Sequence, residues 1–404
     1  MKKKLSSIPL LFTALSLSAC VSQIQFDDSQ IVAWSGDMTY SDSGAFYSRT
    51  SSYMGGDVIC CFSADSGLSV PLCSKPDCTH NIKSSPDCSA LSKRPKGIYE
   101  ADGKLYFFEN DNETEDLNMI CADINGGNRR KLASVEYGTL SGLYERIRYK
   151  DGQAFYTSCD RLDIEFLKEA NEIKYLDKYI ATVRSIDLTS GEVKVIVQKQ
   201  DYEARISNFA VYEDTLIYFY SWFTAQSSGE NGQRTAEEFA KTYRYGIFTV
   251  NLKTGDEKCL TEGYDRMALA NPCFDHFSYD RLIFYSDDTH DLFSYDAKDS
   301  TFTAFAKCVN INIWYMSDEK SALFLENEED EYFCRYDFDT GEITHISREE
   351  FDLFWLNGTI TGEKAWFGYN DDNGEYCKGY MSRDDLMNGK YDDFTFAYYA
   401  NEEA

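Results

Sequence analysis

An all-β fold, a β-propeller of seven four-stranded blades with small helical insertions, is what this sequence predicts, and three observations carry it. An aromatic-rich strand, a polar loop, a second strand ending in Asp or Asn and a tight Gly turn recur seven times, at intervals of about 40 to 65 residues. The composition favours strands, with 30 Tyr and 27 Phe against six Pro. The chain of 404 residues can also bury a large core. Six or eight blades are the alternative counts, because the first and last units match the pattern least well.

Residues 1–20 stand outside this repeat. Lys2, Lys3 and Lys4 form a basic start, and the apolar run that follows is too short to span a bilayer and ends at small residues. That is the pattern of an export signal. Its last residues, Leu17-Ser18-Ala19-Cys20, resemble the lipobox of bacterial lipoproteins, in which the cysteine is acylated. The resemblance implies lipidation of Cys20, so the expected location is the cell membrane, lipid-anchored, on its extracytoplasmic face. Two or more acyl chains anchor stably where one does not. Residues 21–34 are expected to be a short tether or a closing strand paired with the last blade. Residues 35–400 are expected to form the single propeller domain.

Within that domain the first strand of each repeat reads Gly44-Ala-Phe-Tyr-Ser48, Lys104-Leu-Tyr-Phe-Phe108, Gln153-Ala-Phe-Tyr-Thr157, Leu216-Ile-Tyr-Phe-Tyr220, Leu282-Ile-Phe-Tyr-Ser286, Ser321-Ala-Leu-Phe-Leu325 and Lys364-Ala-Trp-Phe-Gly368. The shared turns are Asp123-Ile-Asn-Gly126, Asp187-Leu-Thr-Ser-Gly191, Asn251-Leu-Lys-Thr-Gly255 and Asp337-Phe-Asp-Thr-Gly341. Asp or Asn caps such a turn through its side chain, and Gly supplies the positive φ that closes it. With strands A to D running outward from the axis, these C–D turns share one face with the A–B turns. The B–C loops and the D-to-A crossings share the other. Three long segments, 158–178, 221–243 and the cysteine-rich crossing 73–95, are therefore assigned to that second face, where function concentrates. Segments 163–175 and 235–243 carry helix-like charge patterning and are expected to be small surface helices.

The formal charge of −28 repels nucleic acid, which is excluded as a partner. Four B–C loops are acidic, among them those holding Asp287, Asp288 and Glu328. Such loops can hold Ca²⁺, although none has the ligand spacing of a calcium loop. Of the thirteen cysteines, nine are scattered, mostly through strand-like segments, as small buried hydrophobes. Three cluster with a histidine in Cys73-Ser-Lys-Pro-Asp-Cys78-Thr-His80 and Cys88. Three sulfurs and an imidazole suit tetrahedral Zn²⁺. A disulfide, Cys73 to Cys78 or Cys78 to Cys88, fits the spacing equally well, and free thiols are the third reading. In every case the loop is expected to be structural and to shape the rim of the binding face.

The stretch from Pro71 to Ala90, behind a lipobox and inside these repeats, resembles lipoproteins of gut clostridia. The repeats are similar to the DUF5050-type propeller, to TolB-like propellers and to the six-bladed propellers of lipoprotein receptors, whose Tyr-Trp-Thr-Asp signature is absent here. The chain lacks a Gly-x-Ser-x-Gly elbow, a phosphate-binding Gly-rich loop and a His-Glu-x-x-His motif. The favoured expectation is a non-enzymatic module that binds a glycan, peptide or envelope protein through its irregular face. Trp222, Phe223 and Tyr243, with Trp314, Tyr315 and Trp355, are the aromatic candidates for contact, and at least half of them are expected in the core. The alternatives are a surface glycan lyase or hydrolase on the same face and a structural or sensory partner of an envelope complex.

Overall fold

A computed structural model describes residues 38–399, apart from 51–56, 82, 111–116, 136–146, 162–164, 167–172, 175–177, 228–233, 262–266, 270–280, 287–289, 297–298, 308–314, 318–319, 325–331, 348–358, 371–375 and 392. The signal, Cys20, the 21–34 segment, Asp287, Asp288, Glu328, Trp314 and Trp355 lie outside the described residues, and so do the tips of the four acidic loops. Among the described residues, no helix is long and apolar enough to cross a membrane.

The strands in chain order are β1 (Met38–Ser41), β2 (Gly44–Thr50), β3 (Asp57–Ser63), β4 (Leu68–Pro71), β5 (Leu91–Ser92), β6 (Lys96–Ala101), β7 (Lys104–Asn110), β8 (Leu117–Asp123) and β9 (Arg130–Val135). There follow β10 (Ile147–Lys150), β11 (Gln153–Arg161), β12 (Glu165–Phe166), β13 (Ile173–Lys174), β14 (Lys178–Asp187), β15 (Val193–Tyr212) and β16 (Thr215–Phe223). Helix α1 (Ala236–Thr242) precedes β17 (Tyr243–Asn251), β18 (Glu257–Cys259), β19 (Met267–Leu269), β20 (Arg281–Ser286), β21 (Asp291–Asp296) and β22 (Thr301–Lys307). The chain ends with β23 (Tyr315–Ser317), β24 (Ser321–Phe324), β25 (Tyr332–Asp337), β26 (Ile343–Ser347), β27 (Thr359–Thr361), β28 (Lys364–Asn370), β29 (Tyr376–Ser382), α2 (Arg383–Met387) and β30 (Thr395–Tyr399).

Contacts divide the chain into two compact units, one of residues 1–135 with 313–404 and one of residues 136–312. In the first unit, four antiparallel meanders run in sequence order: β1 to β4, β6 to β9, β23 to β26 and β27 to β30. The outermost strand β26 reads exposed at four of its five positions, while β3 is buried over six of seven. Burial on both faces is what a blade stacked between neighbours requires. The second unit holds a four-stranded meander, β19 to β22, and a seven-stranded sheet, β10-β11-β14-β15-β16-β17-β18. Strand β15 closes one meander against β14 and opens the next against β16. It bends at Glu203, which has a φ of 47°.

The turns follow the expected chemistry. Asp187 Oδ1 accepts from the backbone N–H groups of Thr189 and Ser190 at 2.9 and 2.7 Å, and Asn251 Oδ1 does the same for Lys253 and Thr254. The A–B turns Asp102-Gly103 and Asp151-Gly152 are left-handed at both residues, the geometry of a two-residue hairpin. Helix α1 fulfils the reading of 235–243, with Thr235 as its N-cap and Glu238 N–H bonded to the Thr235 hydroxyl.

The reading of 163–175 as a helix is corrected. Its described residues form a two-stranded ladder, with Glu165 opposite Lys174 and Phe166 opposite Ile173. This ladder follows the pairing of β11 with β14, so strand propagation outweighs a charge pattern that also suits a helix. Of the seven scattered cysteines that are described, Cys60, Cys61, Cys121, Cys334 and Cys377 are buried hydrophobes, while Cys159 and Cys259 are only half-buried.

Candidate functional site

The cysteine crossing departs from expectation in its position. Strands β4 and β5 both pair with β3, through Cys60 with Pro71 and Val58 with Leu91. Between them Ile59 accepts from Leu72 N–H at 2.9 Å and donates to the Ala90 carbonyl at 2.8 Å. The outer strand of the first meander is therefore cut between Leu72 and Ala90, and residues 73–89 leave the sheet and return to the next rung. This excursion springs from the middle of a strand, not from the loop end of the sheet, so assigning it to the rim of the irregular face is corrected.

The excursion packs sideways. Leu72, Cys88 and Ala90 are buried in a core shared with Val58, Leu105, Phe107 and Ala122 of the first two meanders. The Ser89 hydroxyl donates to the carbonyl of Leu72 at 3.0 Å or of Asn125 at 3.1 Å, and Arg129 donates to the Ser89 carbonyl at 2.6 Å. A Cβ on Gly126 would stand 2.5 Å from the Ser89 carbonyl oxygen and 2.8 Å from that of Leu72. The excursion thus meets the 123–128 turn of the second meander backbone to backbone. Sequence reasoning missed Ser89 and Arg129, and no local signal marks either.

Inside the excursion, Cys73, Cys78, His80 and Cys88 come together, with one ligand atom from each lying within 4.8 Å of all the others. His80 Nδ1 is 3.4 Å from Cys88 Sγ. Asp77 and His80 take left-handed φ values of 60° and 52°, a region in which Asp and His are among the enriched residues. A tetrahedral zinc with ordinary bond lengths sets sulfurs about 3.8 Å apart and sulfur from nitrogen about 3.6 Å. The donor set and its spread fit such an ion.

The electrostatics of the four groups differ. Burial opposes ionisation of Cys73, but the Lys75 backbone N–H, the Ser89 hydroxyl and the other two thiols hold it below the usual thiol range. Burial pushes Cys88 up to about 12, against the pull of the Ala90 N–H and with the neighbouring thiols adding to the rise. Burial also lowers His80, which favours the neutral imidazole that a metal needs.

At the loop end of the second unit, the β16–β17 connection is organised by Arg234, whose side chain is only 5% exposed. Its guanidinium lies 3.9 Å from the Phe223 ring centroid, with Nε 3.0 Å from Glu203 Oε1 and one NH₂ donating to the Ala225 carbonyl at 2.8 Å. This ties the connection to the bend in β15. Phe223 is buried beneath Arg234, Phe239 and Tyr243, so its assignment to the ligand-contacting surface is corrected: it supports the loop. Trp222 is half-buried and stacks on Tyr220. Tyr243 is half-buried and stacks on Phe239 at 4.7 Å, and Phe239 is 38% exposed. Phe239 was not among the expected contacts, although its place on the capped helix made it legible.

A cleft on the last meander, about 560 Å³, is lined by Glu363, Lys364, Tyr380, Arg383, Asp384 and Asp393 among others. It opens beside the A–B turn, away from the loop end, and no histidine lines it.

No protein-family model and no curated protein matches the sequence. Solved structures do resemble the fold. The β-propeller domain of the Trilobed protease from Pyrococcus furiosus, described as having an open velcro topology, aligns over 92% of this chain and 99% of its own at a TM-score of 0.50 and 10% identity. A puromycin-hydrolysing peptidase from Mycobacterium tuberculosis aligns over 96% of this chain at 0.52 and 10% identity, and the chain spans only 55% of that protein. TolB from Acinetobacter baumannii aligns over 88% of this chain and 80% of its own at 0.36 and 13% identity. With the meanders described above, the fold is a β-propeller.

Proposed function

We propose that this chain is a membrane-anchored, extracytoplasmic propeller that binds a glycan, a peptide or an envelope protein at the loop ends of its sheets, without turning it over. The lipid on Cys20 holds it at the membrane, and the rigid sheets present the loops. One observation carries the binding assignment: the Phe239–Tyr243 stack, half open to solvent and fixed from below by Phe223 and the buried Arg234. A flat aromatic pair on a rigid base suits stacking against a sugar ring or an apolar side chain, because little side-chain freedom is lost on contact.

The test is binding of the purified mature chain to glycan and peptide arrays and cross-linking in envelope extracts. A specific binder is expected, with affinity falling about tenfold or more in Phe239→Ala, the usual cost of removing a central aromatic contact. The unfolding midpoint should barely move. No binder in any format, combined with turnover of a glycan by the purified chain, would overturn the reading in favour of a surface lyase or hydrolase.

A further inference from the structure

We propose that one Zn²⁺ bound by Cys73, Cys78, His80 and Cys88 is a structural staple, closing the break in the outer strand of the first meander and fixing that edge to the 123–128 turn of the second. The inference is independent of any ligand at the loop ends. It rests on three features of the fold taken together.

The first is the break itself. Leu72 and Ala90 bond to the same residue, Ile59, so the two ends of the excursion are adjacent rungs of a single ladder. The residues between them form no strand or helix among those described. An excursion of this kind needs an internal crosslink to have a defined shape. The second is convergence. Four donors of the types zinc prefers lie within 4.8 Å of one another, whereas a disulfide would use two sulfurs and leave the third thiol and the imidazole without a reason to gather there. The third is the surrounding shell. Arg129 donates to the carbonyl of Ser89, beside Cys88, at 2.6 Å, and the Ser89 hydroxyl reaches the carbonyl of Leu72, beside Cys73, at 3.0 Å, so both ends of the donor set are held in place.

The staple also has a defined target. Ser89 follows the ligand Cys88 directly, and Leu72 precedes the ligand Cys73. These are the two residues whose carbonyl oxygens face Gly126. Gathering the ligands draws both carbonyls into the position that the turn packs against. Loading releases the thiol protons to solvent and changes no oxidation state. The soft sulfur-rich set selects Zn²⁺ over Ca²⁺ or Mg²⁺, so the calcium expectation does not extend to this site.

The experiment uses the full mature chain, purified with and without added Zn²⁺ under reducing conditions. Native mass spectrometry and elemental analysis should find one zinc per chain, and Co²⁺ substitution should give the visible absorption of a tetrahedral thiolate site. Chelation should lower the melting temperature and raise amide exchange in 68–92 and 123–128 ahead of the rest of the chain. Zinc should reverse both changes. His80→Ala should weaken zinc binding at least tenfold, and because chelation and reloading need no variant, misfolding of a Cys→Ser protein leaves the test intact. A chain without zinc under any loading condition overturns the proposal. So does a mass two daltons below the all-thiol value with resistance to chelation, the mark of a disulfide, or an exchange pattern in 123–128 indifferent to metal.

Discussion

Replacing Gly126 by Ala probes the contact between the cysteine excursion and the second meander, and the fold supplies its own control. Gly126 and Gly255 close equivalent C–D turns and have nearly identical φ values, +75° and +76°. An L-residue in that conformation costs about 1–2 kcal/mol at either site. A Cβ at 255 meets nothing within 4 Å, so Gly255→Ala should lose only that amount. A Cβ at 126 meets two backbone carbonyl oxygens at 2.5 and 2.8 Å, and neither can rotate away as a side chain would. Forced overpacking adds roughly 1–3 kcal/mol, giving an expected total near 2–5 kcal/mol for Gly126→Ala. Urea unfolding of the two variants, followed by amide exchange to locate the loss, measures the difference. Exchange should rise in 72–90 for Gly126→Ala and stay unchanged there for Gly255→Ala. Chelating the metal should shrink the gap, because a loosened excursion yields to the new methyl group. Equal losses in the two variants would refute the backbone-to-backbone packing.

Two further outcomes are expected. Cys20→Ser should release the protein from membranes or leave its signal uncleaved, read by fractionation and mass spectrometry, and unchanged membrane retention with normal processing would sink the anchor. Asp187 and Asp337 sit below the ordinary carboxylate range because backbone N–H groups and the hydroxyls of Ser190 and Thr340 hold the ionised form. A carboxyl lowered by folding stabilises above its unfolded value, near 3.9, and loses that contribution as pH falls through the lower folded value. The double replacement Asp187→Asn with Asp337→Asn should keep the turns, since Asn251 already fills the equivalent position, and should flatten the acid limb of stability below about pH 4. An acid limb as steep as that of the parent chain would contradict this account.

What was legible in the sequence is what local chemistry determines. Asp187, Asn251 and Asp337 announce their turns because the side chain caps the same turn that its own residue begins. Thr235 and Glu238 announce α1 for the same reason. Ser382 and Asp385 start α2 in the same way, a signal that was present and not used. The broken outer strand was not legible, since β4 and β5 have four and two residues and are joined only by their shared partner β3. Their common identity is a long-range fact. The four metal-type ligands were visible as a cluster, but their place on the flank depends on Ile59, which no spacing within 73–88 reveals. Phe223 was misassigned because an aromatic residue beside a loop reads the same whether it meets solvent or a buried guanidinium. Arg234, the residue that decides the matter, looks like any surface arginine.

The junction between the first and last meanders shows how far such reasoning extends. Residues 23–34, expected to pair with the last blade, lie outside the described residues, but the last sheet already draws all four strands from the C-terminal stretch. The first sheet likewise draws its strands from Met38 onward. Among the described residues, the two sheets meet through side chains and single hydrogen bonds. Tyr47 stacks on Tyr398 with centroids 3.9 Å apart, and Phe62 packs edge-on to the buried Trp366 at 6.1 Å. Asp42 accepts from the backbone N–H groups of Glu363 and Lys364, while the Lys364 ammonium donates to the Asp42 carbonyl. Aromatic pairs contribute about 0.5–1.5 kcal/mol each beyond the area they bury, and a shared strand would add a full ladder of backbone bonds. A seam held in this way depends on the shape of a few large rings. The zinc staple proposed on the other flank of the first meander is then best understood as compensation: it stiffens that edge where this one depends on aromatic packing and a few hydrogen bonds.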